Sequence, residues 1–168
     1  MKGKFDKEAR AESARAYFKQ GYNCCQSVAL AYSDLFGMDK DSVAALASGF
    51  GGGFGRLREV CGCVSGMTMV AGAVMPATDP GDSARKTENY ALVQRLAGKY
   101  AEENGSIICR ELLGLERKGS SPESPAPSER TGEYYRKRPC PELCACAARI
   151  IAEAVSYTHL TLPTICSV

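Results

Sequence analysis

The stretch from Gly49 to Gly66, GFGGGFGRLREVCGCVSG, constrains the fold more than any other part of the chain. A glycine cluster (Gly49, Gly51, Gly52, Gly53 and Gly55) leads into Cys61 and Cys63, and an uncharged run, MTMVAGAV, follows. Glycine adopts left-handed backbone without penalty and lets a neighbouring backbone come close, so this density marks a corner that other segments approach. Two thiols at such a corner, ahead of a segment with buried character, point to chemistry done by cysteine. The cluster is not a nucleotide loop. Phe54 and Arg56 fall where a third glycine of G-x-G-x-x-G would be needed, and no Gly-Lys-Ser/Thr follows.

The chain carries nine cysteines in 168 residues, an unusual density. In an exported small protein this would be a disulfide framework; in a reducing compartment metal binding or redox chemistry is the better account. The N-terminal segment MKGKFDKEARAESARAYFKQ is charged and helical in pattern, unlike a signal peptide. No window approaches the roughly 18 to 20 apolar residues that span a bilayer. A cytoplasmic protein with no membrane partner is therefore expected. A net charge of +2 gives no argument for nucleic acid. The only histidine, His159, lies near the C-terminus, which leaves no Cys–His catalytic pair, and the acidic residues show no paired-carboxylate pattern.

No run of strand length alternates apolar with polar residues. The spacing predicts an all-α fold, a single-domain bundle of about six or seven helices over residues 5–155. Helices are expected over 5–20, from Cys24 to about Phe36, from Asp39 or Asp41 to the glycine cluster, and from between Arg58 and Cys63 to about Val74. Further helices follow at Ala84–Glu103, with Tyr90, Val93, Leu96, Ala97 and Tyr100 on one face, over IICRELLG, and from Cys140 to about Val155. Residues 116–133, ERKGSSPESPAPSERTGE, are expected to form an exposed, mobile loop. Residues 156–168, SYTHLTLPTICSV, break the helical pattern and read as a translated read-through tail; Cys166 and His159 are excluded from the site on that ground.

Four cysteines fall at predicted helix starts. Cys24 follows a capping Asn23, Cys109 comes three residues after Ser106, Cys140 precedes Pro141, and Cys61 follows the glycine cluster. A helix N-terminus offers unpaired N–H groups and partial positive charge, which stabilises a thiolate. The thiolate is both nucleophile and metal ligand, so convergence of these starts would make an anionic site.

The segments NCCQSVALAY, the glycine-rich approach to CGCVSG, SIICRELLG and RPCPEL resemble the C_GCAxxG_C_C family of redox-active proteins, over roughly residues 8–155. On that resemblance the four characteristic cysteines are Cys24, Cys61, Cys109 and Cys140. Family members usually carry alanine after the Cys-Gly of the motif, where this chain has Cys63. Cys25, Cys144 and Cys146 are likewise additions to the pattern.

Three chemistries fit. Cys24, Cys61, Cys109 and Cys140 make a Cys₄ set for an iron–sulfur cluster in electron transfer, with Cys63 and Cys144 as substitutes. The resemblance favours this, because a related domain occurs in a cytochrome that carries an iron–sulfur centre. A thiol–disulfide oxidoreductase would use the same four as redox thiols, through neighbours such as Cys61 and Cys63 or Cys140 and Cys144. A structural zinc site would also take Cys ligands, although C-x₂₋₄-C pairs are poorly represented. A redox partner protein is expected, and a homo-oligomer is compatible with the composition.

Overall fold

The computed structural model describes residues 6–115 and 123–161, with side chains through Ser156. These form eight α-helices: α1 (Lys7–Lys19), α2 (Cys24–Leu30), α3 (Lys40–Ala47), α4 (Gly62–Val74), α5 (Ser83–Asn104), α6 (Cys109–Leu112), α7 (Gly132–Lys137) and α8 (Cys140–Thr161). Among the described residues there is no strand, only an antiparallel bridge between Val60 and Ile108. The fold is all-α, with one helix more than the pattern predicts. Thr131 accepts from the Tyr134 N–H and starts α7 inside a segment expected to be loop and helix entry. Pro139 then separates α7 from α8, holding Arg138 in the extended conformation that a following proline favours.

Side-chain caps start most of the helices. Asp6 accepts from the N–H groups of Glu8 and Ala9, Asp39 from Ser42, and Asp82 from Arg85. Each satisfies donors that a helix leaves unpaired at its N-terminus. One predicted helix is cut short: α2 ends at Leu30, and a 3-10 turn, Ser33–Leu35, follows. The Ala31 carbonyl, which would have continued the helix, accepts from Arg10 Nη1 at 2.6 Å instead. A tertiary contact has replaced a helical one.

The uncharged α4 packs against α2, α5 and α8, and α1 lies along α8. Phe18, Tyr32, Met67, Leu96, Tyr100 and Ile151 are among the buried side chains of the core they enclose. Each such burial contributes about 1.5–3 kcal/mol. The Tyr32 hydroxyl donates to the Ala148 carbonyl at 2.7 Å, so its polar end is satisfied. On α5 the buried positions are Leu92, Leu96 and Tyr100, whereas Tyr90 is 64% exposed. The apolar stripe is therefore rotated from the predicted face, with Leu92 in place of Tyr90.

Residues 116–122 of the expected loop lie outside the described residues. Residues 123–131 carry no helix or strand and are exposed apart from Arg130. Two of their charges tie them to the body. Glu123 pairs with Arg58 at 2.7 Å, and Arg130 donates to the carbonyls of Phe18 and Tyr22 while stacking on the Phe18 ring. At the other end, α8 runs through Thr161, past the expected end near Val155, and residues 162–168 are outside the described set. Among the described residues no helix is long and apolar enough to cross a membrane.

The α2–α4 contact depends on glycine. A Cβ on Gly66 would stand 2.8 Å from Val28 Cβ and 3.0 Å from the Cys25 carbonyl oxygen. Gly66→Ala gains helix propensity of about 1 kcal/mol but overpacks this contact by more. A net loss of about 1–2 kcal/mol in chemical denaturation is expected; an unchanged midpoint would show that the helices part without cost.

Candidate thiol centre

Four helix starts converge near one corner. Cys24 opens α2, where Asn23 and Gln26 form a reciprocal capping box, each side chain bonded to the other's backbone N–H. Cys61 is the residue before α4, Cys109 opens α6 and Cys140 opens α8. One local prediction is amended. Ser106 does not cap α6 directly; it accepts from the Ile108 N–H, and Ile108 occupies the cap position.

The glycine-rich loop shapes the corner. Phe54, Arg56 and Arg58 have φ of 67°, 68° and 61°, and the neighbouring Gly52, Gly53 and Gly55 are left-handed too. Such backbone costs on the order of 1–2 kcal/mol per non-glycine residue. Side-chain anchors offset it: Arg56 donates to the Ser124 carbonyl, and Arg58 bonds Glu123. Gly53 could not be replaced, since a Cβ there would stand 2.6 Å from Cys109 Cβ. The Cys61 N–H donates to the Ile107 carbonyl and the Cys109 N–H to the Glu59 carbonyl, which draws Cys61 and Cys109 to the same corner.

The sulfurs of Cys24, Cys63 and Cys144 all lie within 4.8 Å of one another. Cys63 and Cys144 are the tighter contact, 3.6 Å apart and both 0% exposed. Cys140 donates to the Cys24 sulfur, and Cys63 to that of Cys61. The Tyr100 hydroxyl is 3.5 Å from Cys61 Sγ. Cys109 sits at the rim, 3.9 Å from Arg58 Nη1. Arg58 Nε is buried without a hydrogen-bond partner among the described residues. Cys25 turns away to the Met69 sulfur, and Cys146 bonds Asn104 and Glu103 outside the centre.

The electrostatics single out Cys24. Hydrogen bonds from the thiols of Cys140, Cys144 and Cys63, helped by the charge of Arg130, hold it well below the ordinary thiol range. Those three donors are pushed upward in turn, Cys140 and Cys63 chiefly by their thiol contacts and Cys144 chiefly by burial. Cys61 is lowered by its bond from Cys63. Burial raises Cys109 to about 11, against the pull of Arg58, and raises Cys25 to about 12.

This donor set suits a soft cation. Thiolates about 2.3 Å from one tetrahedral ion stand about 3.8 Å apart, close to the separation of Cys63 and Cys144. Three sulfurs are already grouped, and Cys140 and Cys61 stand next to the group. The two substitutes thus lie inside the tight group with Cys24, while Cys140 and Cys61 adjoin it at Cys24 and Cys63, and Cys109 sits beside Arg58. Arg130 was missed from sequence, because its role depends on a loop folding back 106 positions later onto Cys24's neighbourhood, and no local pattern marks it. Tyr100 was visible only as a core position.

An all-α body with a buried, polythiol centre defines a class of cysteine-based redox or metal protein. The match to family models is specific: residues 22–154, most of the chain, fit the family described as "putative redox-active protein (C_GCAxxG_C_C)". The chain belongs to that family. Comparison with curated proteins and with solved structures found no match.

The shifts set an order of reactivity for the reduced, metal-free chain. A thiol with a raised value stays neutral, and slow to react, until the pH nears that value. Near neutral pH an alkylating agent is expected to label Cys24 ahead of Cys109 and Cys25, with labelling of Cys109 rising as pH approaches about 11. Peptide mapping by mass spectrometry checks this; early labelling of Cys109 or Cys25 would contradict it.

Proposed function

We propose that this chain is an electron-transfer protein whose cysteine centre binds an iron–sulfur cluster. The observation that carries the proposal is the grouping of Cys24, Cys63 and Cys144 sulfurs within 4.8 Å, with Cys140 and Cys61 beside them. Zinc has no redox chemistry, so a zinc site would leave the redox character of the family without a carrier. Cys₄ sets are the normal ligands of [2Fe–2S] and [4Fe–4S] clusters, and a bound cluster supplies one-electron chemistry.

Cys24, Cys61, Cys109 and Cys140 are the proposed ligands, and Cys63 and Cys144 are near enough to Cys24 to substitute. The remaining residues tune and shield. Arg130 and Arg58 place positive charge near Cys24 and Cys109, which offsets the charge of thiolates. The apolar packing of α4, α5 and α8 keeps water from the inner sulfurs. Cys24, only half-buried, marks the edge at which a redox partner protein would exchange electrons. Thiols held ready for metal fit the reducing cytoplasm.

Anaerobic purification followed by absorption spectroscopy and iron and sulfide analysis tests the proposal. A visible chromophore that bleaches on reduction, with bound iron and sulfide, is expected. Cys24→Ser should lower iron content, whereas Cys25→Ala, a change outside the centre, should not. A colourless chain that takes up no iron or sulfide on anaerobic reconstitution would overturn it.

A further inference from the structure

We propose that Cys63 and Cys144 form a second redox couple, a dithiol that closes to a disulfide by exchange with a low-molecular-weight disulfide entering at Cys24. This goes beyond the cluster proposal, because it involves two thiols outside the family's four and requires no metal. The supporting geometry has three parts. Cys63 and Cys144 sulfurs are 3.6 Å apart on helices α4 and α8 that pack directly together. The sulfurs need to approach by about 1.5 Å to reach the bond length of about 2.05 Å. Both sulfurs are fully buried, so no external disulfide reaches them; Cys24, within 4.8 Å of each, is the half-buried member of the trio.

The exchange proceeds in three displacements. Cys24 thiolate attacks the external disulfide RSSR; a Cys24–SR bond forms, the R–S–S–R bond breaks, and RS⁻ leaves. Cys144 then attacks the Cys24 sulfur, its proton passing to the second RS⁻, and a Cys24–Cys144 disulfide replaces the mixed one. Cys63 attacks Cys144, its proton passing to the first RS⁻; the Cys63–Cys144 bond forms, the Cys24–Cys144 bond breaks, and Cys24 leaves as the thiolate. In sum, two cysteine thiols are oxidised and one RSSR is reduced to two RSH. The product disulfide lies where no reductant larger than the trio's own thiols can reach it, so reduction also runs back through Cys24.

The test uses the full chain, reduced, held with chelator and then exposed to oxidised glutathione. Two titratable thiols should be lost, and a non-reducing digest should give a peptide pair joined through Cys63 and Cys144 that separates on reduction. Cys24→Ser should form that bond about tenfold more slowly, because the entry thiol is gone. Cys144→Ala should stop at a glutathione adduct on Cys24 or at a Cys24–Cys63 disulfide, and Cys25→Ala should behave as the parent. Circular dichroism checks that each variant remains helical. Free Cys63 and Cys144 after exposure, whether the chain is unchanged or has oxidised at another pair such as Cys24 and Cys140, overturns the proposal. Iron uptake without this bond would overturn this inference alone; the bond without iron uptake would overturn only the cluster proposal.

Discussion

Much of the centre depends on how closely α2 approaches α4. The contact is made where two glycines face α2: a Cβ on Gly62 would stand 2.9 Å from Cys24 Cβ, and one on Gly66 would press on Val28. Because neither glycine has a side chain, the first turns of both helices can share one space. That space receives Cys24 from α2 and Cys63 from α4. α8 then seals it from the other side with Cys140 and Cys144. Larger residues at these two positions would separate the thiols by the width of a methyl group or more. The sulfurs would then no longer form a common set.

Bringing so many thiols together in a buried space raises an electrostatic difficulty. Burial disfavours any thiolate, and a second one beside the first is disfavoured further. The chain meets this by concentrating negative character on Cys24 and surrounding it with S–H donors, each of which stays protonated at the cost of its own acidity. The helix starts and the Arg130 guanidinium add positive potential around the same sulfur. Several thiolates at once would need a cation among them, which is the physical case for a metal. Without a cation the same contacts favour a shared bond between neighbouring sulfurs. On the two proposals, one architecture would serve two redox chemistries, separated by whether a metal is present.

The glycine-rich loop contributes in a less direct way. Its left-handed residues, Phe54, Arg56 and Arg58, coil the chain so that Gly53 lies against Cys109, and Gly51 leaves room for Asn23, whose amide donates to the Ser48 carbonyl just ahead of the loop. The cap that fixes Cys24 at the start of α2 is thus itself braced by the loop. Glu123 holds Arg58 from outside, and Arg58 reaches toward Cys109. The loop, the cap and the rim thiol form one support around the centre.

Much of this was legible in the residues alone. Helix starts depend on a few neighbouring side chains, so Asn23, Asp39 and Asp82 announced α2, α3 and α5, and the first of these starts carries Cys24. The glycine cluster announced a corner of close approach for the same local reason. What no local pattern could supply was which thiols meet. Cys63 and Cys144 are 81 positions apart and come into contact only because α4 and α8 pack side by side. Likewise, α2 ends early because Arg10 from α1 takes the Ala31 carbonyl, and the stripe of α5 is set by its neighbours rather than by its own periodicity. Local hydrogen bonding, written in adjacent residues, determined where the helices and their opening cysteines would be. The membership of the thiol centre was decided by tertiary packing, because contacts between sulfurs depend on how distant helices fit together.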